Sequence, residues 1–200
     1  MNDPTDLDRW YETPELYGEH VGLVPLQREH AAGILAAADD DEVFRWQSFA
    51  RPRTLADAEA LHDWYAARPN ALTWTQVDRA SGDVAGLTTY YDIDPRNRAV
   101  AIGATWLGRR FWRTGVNTEA KLLLLRRAFD TLGCARVVWH VDIMNERSQE
   151  AVRRIGGVRE GVLRKHMVRR DGSWRDTVLF SMIDDEWPAA RDRLIERLAR

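Results

Sequence analysis

Two hundred residues can bury one sizeable core, and 44% hydrophobic with 30% charged content describes an ordinary soluble globular chain. No apolar run approaches the ~18 residues a membrane helix needs, and the acidic start, Met1-Asn-Asp-Pro-Thr-Asp-Leu-Asp8, lacks the apolar stretch of a secretory signal, so cytoplasm is the expected compartment. One cysteine, Cys134, excludes an internal disulfide and a cysteine zinc site, and a net charge of −2 without a lysine-rich arm argues against nucleic acid as a partner.

The chain reads as one domain. Residues 1–15 are polar and look like a loose lead-in, and residues 20–26 form a first strand closed by Pro25. An alanine-rich helix spans 28–38, and the acidic run Asp39-Asp-Asp-Glu42 breaks it or starts the next one. Phe44, Trp46 and Phe49 follow in a connecting segment. Thr54, with Asp57 three residues on, caps a helix whose stripe is Leu55, Ala58, Leu61, His62 and Tyr65. Residues 72–77 and 84–91 alternate like strands around the glycine turn 78–83, a hairpin pattern.

A strand at 100–107 then feeds a basic turn, Gly108-Arg-Arg-Phe-Trp-Arg-Thr-Gly115, and the turn feeds a helix. Leu125, Ala128, Phe129 and Leu132 form that helix's buried stripe, and Gly133 stops it. Residues 136–142 form the next strand, and Asn145 caps a short helix ended by Gly156-Gly157. Two long strands, 158–168 and 174–183, flank the Asp171-Gly172 hairpin signal. Pro188 opens a final helix within 185–200. A strand–helix–strand unit needs a parallel pair and the hairpins need antiparallel ones, so the expected class is α/β (α+β), a mixed sheet flanked by helices.

A strand that turns into a helix N-terminus aims unpaired N–H groups and the positive end of the helix dipole at one point, a ready site for phosphate. Arg109, Arg110 and Arg113 add charge around it, and Gly115 offers close backbone approach. The turn is neither a P-loop nor the triple-glycine dinucleotide fingerprint. It resembles motif A of the GNAT acyltransferases, Arg/Gln-x-x-Gly-x-Gly/Ala: Arg110 and Gly115 hold the first and last positions, and Arg113 replaces the middle glycine. The run Thr114-Gly-Val-Asn-Thr-Glu-Ala-Lys121 is similar to the branch of ribosomal-protein N-terminal acetyltransferases.

That resemblance, over about residues 20–185, implies a mostly antiparallel sheet whose central parallel pair splays to admit acetyl-CoA. It implies backbone bonds to the pantetheine arm from Thr105, Trp106 and Leu107, although core packing accounts equally well for the Trp106 side chain. It implies phosphate contacts from Arg110, Arg113, Thr114, Gly115, Val116, Asn117 and Thr118. Asn145 would touch the coenzyme and Ser148 would lie near its sulfur, able to protonate the departing thiolate; the plain alternative is a cap and a helix-start residue. Glu160 matches an acidic position that could take the amine proton, or could be merely salt-bridged. No histidine pair has metal spacing, and His140 reads as structural.

Residues 1–100 hold 9 Arg against 18 Asp/Glu, a net of −9; residues 101–200 hold 20 Lys/Arg against 13 Asp/Glu, a net of +7. The basic half carries the phosphate turn, and the acidic half suits an amine acceptor. Phe44 and Trp46 are expected to wall the acceptor mouth, with Arg169, Arg170 and Arg175 opposite. The expected activity is transfer of an acetyl group from acetyl-CoA to a primary amine on a small molecule or peptide, and a homodimer is compatible with it. The alternative is a catalytically silent coenzyme-binding or ligand-sensing module on the same fold.

Overall fold

The computed structural model describes residues 7–199. An eight-stranded sheet organises it: β1 (Leu16–Tyr17), β2 (Val21–Pro25), β3 (Ala71–Asp78), β4 (Val84–Asp94), β5 (Ala99–Leu107), β6 (Arg136–Asp142), β7 (Val158–Val168) and β8 (Trp174–Ile183). Their spatial order is β1-β2-β3-β4-β5-β6-β8-β7. Every neighbouring pair is antiparallel except β5 and β6, which are joined by a helical crossover and run parallel.

Five helices flank the sheet: α1 (Ala31–Ala37), α2 (Leu55–Ala66), α3 (Gly115–Arg126), α4 (Glu146–Arg154) and α5 (Trp187–Leu198). Their starts follow local chemistry. Thr54 and Asp57 form the reciprocal capping box at α2. Thr114 caps α3 and Asn145 caps α4 through their side-chain oxygens. α3 starts at Gly115, within the basic turn, and closes with a π turn, Arg127–Thr131. Strand alternation sends Tyr90, Ile102, Val137, Trp139, Val178 and Phe180 to one face, where α3 and α5 cover them. Leu87 and Trp106 face the other side, in a second cluster with α1 and α2. Over β6, β7 and β8 that second face carries polar residues.

Residues 7–15 are not a loose lead-in. Trp10 is buried in the main core, the Arg127 guanidinium donates to the Arg9 and Glu12 carbonyls at 2.8 Å each, and Trp74 Nε1 donates to the Pro14 carbonyl at 2.8 Å. Polar composition concealed this because one tryptophan and main-chain carbonyls do the anchoring. The expected lead-in of residues 1–6 lies outside the described residues. Among the described residues no helix is long and apolar enough to cross a membrane.

The feature that positions the site is the incomplete pairing of β5 and β6. Their register holds only for Ala99, Val100 and Ala101 against Arg136, Val137 and Val138. Beyond that, β5 continues to Leu107 and β6 to Asp142 without pairing each other. The β4–β5 register slips opposite Thr88, where β5 carries one extra residue and Ala104 adopts φ +45°. A bulge of this kind bends its strand, and here it turns β5 away from β6. The two strands therefore splay at their C-terminal ends.

Candidate active site

The end of β5 leads into a short 3-10 turn, Arg109–Phe111, and then into α3. Thr114 Oγ1 donates to the Phe111 carbonyl at 2.8 Å and accepts the Val116 N–H at 3.3 Å. The amides of Gly115 and Asn117 belong to the first turn of a 12-residue helix and have no intrahelical acceptor. Thr118, one turn in, contributes only its half-buried side chain to this surface.

The three arginines of the turn have different fates. Both main-chain N–H groups of Arg109 and Arg110 donate to the Asp39 carboxylate, at 2.8 and 3.3 Å. The Arg109 side chain pairs with Asp40 at 2.7 Å, and Arg110 pairs with Asp83 at 3.1 Å. The acidic run after α1 thus braces the turn. Arg113 is exposed and has no ion pair among the described residues. Its φ is +62°, the left-handed conformation that glycine tolerates and arginine resists. Arg113 occupies the middle-glycine position of the motif and takes a backbone conformation that glycine adopts freely. Held at a cost on the order of 1 kcal/mol, it delivers a guanidinium where other members of the motif have only backbone.

Gly115 has a packing reason beyond ligand approach: a Cβ there would meet the His20 ring at 2.6 Å. Glu119 of the Thr-Glu-Ala run is buried and accepts three main-chain N–H groups, from Glu19, His20 and Val21. It ties α3 to the start of β2, so this motif residue is architectural.

The carbonyls along the splayed end of β5 are all engaged by side chains. Ala104 accepts from the Tyr65 hydroxyl at 2.7 Å, Thr105 from Gln47 at 3.1 Å, Trp106 from Gln76 at 3.3 Å and Leu107 from Trp112 at 2.8 Å. The Trp106 ring is buried against Phe44, with centroids 5.0 Å apart, so its side chain is core. Thr105 Oγ1 joins Thr88 Oγ1 at 2.9 Å and receives the Lys121 ammonium at 2.9 Å. Lys121 is buried with no carboxylate partner among the described residues, and burial pulls its pKa down to about 7.

Across the gap, Asn145 Oδ1 accepts the Ser148 N–H at 3.1 Å, and Ser148 is half-buried at the first turn of α4. Arg147, next to Ser148, lies 3.8 Å over the Trp112 ring of the coenzyme turn. The stack links the turn before α3 to the first turn of α4, so the two predicted binding segments lie side by side.

Three expectations fail. Glu160 is held by both Arg136 nitrogens and by Ser181 Oγ at 2.7 Å, which drive its carboxyl down to about 2. Its partners lie at the closed, paired end of the sheet, so it is not a base for the cleft. Phe44 is 1% exposed in the second core and walls nothing. Arg169 and Arg175 do not form a free basic wall: Arg169 grips the buried Asp142 through two bonds of 2.7 and 2.9 Å, and Arg175 donates to the His140 carbonyl at 3.0 Å. Arg170 does reach the mouth, donating to the Phe44 carbonyl at 3.0 Å. Trp46 is half-buried beside it, with Arg45 at 4.9 Å over the ring.

A polar row escaped the sequence reading. Tyr91 on β4, His140 on β6, and His166 and Thr177 on the last hairpin meet on the sheet face opposite α3 and α5, beside the splay. Their separation in sequence is large, and only strand register puts them together. Lys121 escaped as well, since a lysine within a leucine-rich helix gives no sign of which face it points to.

The acetyltransferase (GNAT) domain family matches residues 20–158. YdaF of Bacillus subtilis, named as a candidate ribosomal N-acetyltransferase, is 27% identical over 177 residues, covering 84% of this chain and 94% of YdaF. An Aspergillus fumigatus FsC-acetyl coenzyme A-N(2)-transacetylase is 26% identical over 185 residues, covering 87% and 78%. The crystal structure of a GCN5-related N-acetyltransferase from Brucella melitensis superposes with a TM-score of 0.89 at 34% identity, covering 94% and 86%. The splayed parallel pair, the helix N-terminus beside it and these likenesses agree: the chain belongs to the GNAT acetyltransferase family and is an acetyl-CoA-dependent N-acetyltransferase.

Proposed function

We propose that the chain acetylates the α-amino group of an amino-acid-like or peptide acceptor. The observation that carries this reading is the cleft itself: two helix N-termini, at Gly115 and Glu146, open onto the splay between β5 and β6. The cradle fits a polyphosphate. Arg113 offers a guanidinium without an ion pair among the described residues at the glycine position, and the Gly115 and Asn117 amides stand free of helical acceptors. Arg113, Thr114, Gly115, Val116, Asn117 and Thr118 would hold the phosphates, while the segment Thr105, Trp106 and Leu107 would run beside the arm, its carbonyls already engaged by Gln47, Gln76 and Trp112. Arg110 acts at most indirectly, because Asp83 holds it. Bound acetyl-CoA supplies an activated thioester.

The amine can then attack without a covalent enzyme intermediate, and orientation within the cleft provides much of the acceleration. Asn145 fixes the first turn of α4, and the Ser148 hydroxyl there is the candidate proton donor for the sulfur. The acceptor reading rests on the mouth. Among the described residues Arg170 bonds the Phe44 carbonyl there and no carboxylate, while the nearby Asp41 and Glu42 are held by Arg51, Arg53 and Arg45. A carboxylate-bearing α-amino compound suits that mixture better than a bare polyamine. YdaF's name as a ribosomal N-acetyltransferase and the N(2) position in the FsC enzyme's name are consistent with such a nitrogen.

Thiol release from acetyl-CoA with a panel of α-amino acids, short peptides, spermidine and aminoglycosides tests it. At least one α-amino acceptor should exceed spermidine in kcat/KM. Preference for spermidine over every α-amino compound would sink the acceptor assignment.

A further inference from the structure

We propose that His140 is the catalytic residue that takes the proton from the acceptor nitrogen, and that Tyr91 positions it. The inference rests on the acetyl-transfer reading and names a group that reading leaves open.

His140 lies two residues past Val138, the last residue of β6 paired to β5. Extending that register sets it beside Gly103, at the point where the strands part. Its side chain belongs to the face opposite Trp139 and Val141, which are core. That face also carries His166 of β7, and the last hairpin reaches on to the Phe44 carbonyl through Arg170. His140 is half-buried, neither locked in the core nor fully in water.

Tyr91 reaches it from β4 by crossing over β5. The crossing is possible because Gly103 has no Cβ: one would meet the Tyr91 ring at 2.8 Å. The Tyr91 hydroxyl lies 2.9 Å from His140 Nδ1. With Nδ1–H donating to the phenol oxygen, Nε2 carries the lone pair, and among the described residues no hydrogen-bond partner takes it. His166 stacks on the ring from β7, with centroids 5.9 Å apart, and is itself held by Thr177 of β8 at 3.1 Å. The charged groups around the ring are Asp92 on β4, His166 on β7 and Arg175 on β8, with Arg68 over the Tyr91 ring from the end of α2. Burial, helped by His166 and Arg175 and opposed by the Asp92 carboxylate, keeps the imidazole below its ordinary value of 6.5. His140 is therefore neutral at pH 7 and able to accept a proton. Burial pushes the Tyr91 phenol up to about 12, so it remains a neutral partner throughout.

The step balances. The acceptor nitrogen's lone pair forms the new C–N bond as the C–S bond breaks and its electron pair goes to sulfur. One nitrogen proton passes to His140 Nε2 and then to solvent. The sulfur is protonated from the Ser148 side.

The test is the pH dependence of kcat/KM for wild type, His140→Gln and Tyr91→Phe with one α-amino acceptor, beside coenzyme A affinity by calorimetry. The wild type should lose activity on an acid limb below pH 6.5. The acceptor's own ionisation lies higher, at ~7.7–8.0. His140→Gln should lower kcat by ~100-fold and abolish the acid limb, with coenzyme affinity unchanged and partial rescue by imidazole. Tyr91→Phe should displace the limb with only a several-fold loss of kcat. A His140→Gln enzyme within twofold of wild type and with the same limb would overturn the inference while leaving acetyl transfer standing. An unmoved limb in Tyr91→Phe would overturn the positioning role. A wild type that binds coenzyme A yet acetylates no amine in the panel would overturn both readings.

Discussion

Arg113 carries most of what this chain adds to its motif. A glycine there would accept the left-handed backbone at no steric cost, whereas the arginine is held at φ +62°. Arg113→Gly should therefore leave stability nearly unchanged, since relief of about 1 kcal/mol of strain offsets a glycine's extra unfolded-state entropy of ~0.5–1 kcal/mol. Coenzyme A affinity should fall by ~5–10-fold through loss of one phosphate-facing charge. Urea denaturation and calorimetry on the same protein separate the two effects, and wild-type affinity in that variant would remove Arg113 from the phosphate site. Gly115→Glu is a poorer probe, because its side chain would also strike the His20 ring.

At the scale of elements, the chemistry sits where strand ends meet helix starts. Asp142, the last residue of β6, is buried with Arg169 and Met144 N–H on its oxygens, so the β7–β8 hairpin is pinned against the start of α4. The helix start is fixed in turn by the Asn145 cap. Ser148 offers its amide to that cap and leaves its hydroxyl for other work. Ser148→Ala keeps the cap, and turnover should drop by ~10–100-fold with coenzyme affinity unaffected. An unchanged turnover number under chemistry-limited conditions would reduce Ser148 to a helix-start residue.

At the scale of the whole molecule, the buried Lys121 sets a pH dependence of stability. Its folded pKa is about 7 against an ordinary 10.5, so above pH 7 the unfolded chain binds more protons than the folded one. Stability must then rise with pH. The slope approaches ~1.4 kcal/mol per pH unit, or roughly 2 kcal/mol between pH 7 and 8.5. The lowered histidines, His30 and His140, titrate below this window, and Cys134, which burial raises to about 12 from 9.0, opposes the trend only above it. Lys121→Met should raise stability at pH 7 and flatten the slope in urea titrations. The Thr88 and Thr105 hydroxyls keep each other as partners at 2.9 Å. A wild-type slope in Lys121→Met would assign the pH dependence to another group.

Local chemistry was legible in the sequence. The capped helix starts at Thr54 and Asn145, the parallel crossover and the basic turn all appear where residue types and spacing predict them. These features depend on a few neighbouring residues, so a linear reading suffices. The tertiary structure alone decided which charged groups are spent and which are available. Glu160 and Arg110 looked like site residues, but partners 24 and 27 positions away hold them. Tyr91, Gly103 and His140 looked unrelated until β-sheet register brought them to one face at the splay. Ion pairing and strand register are long-range properties. They are set by how the elements pack, and no spacing within the chain encodes them directly.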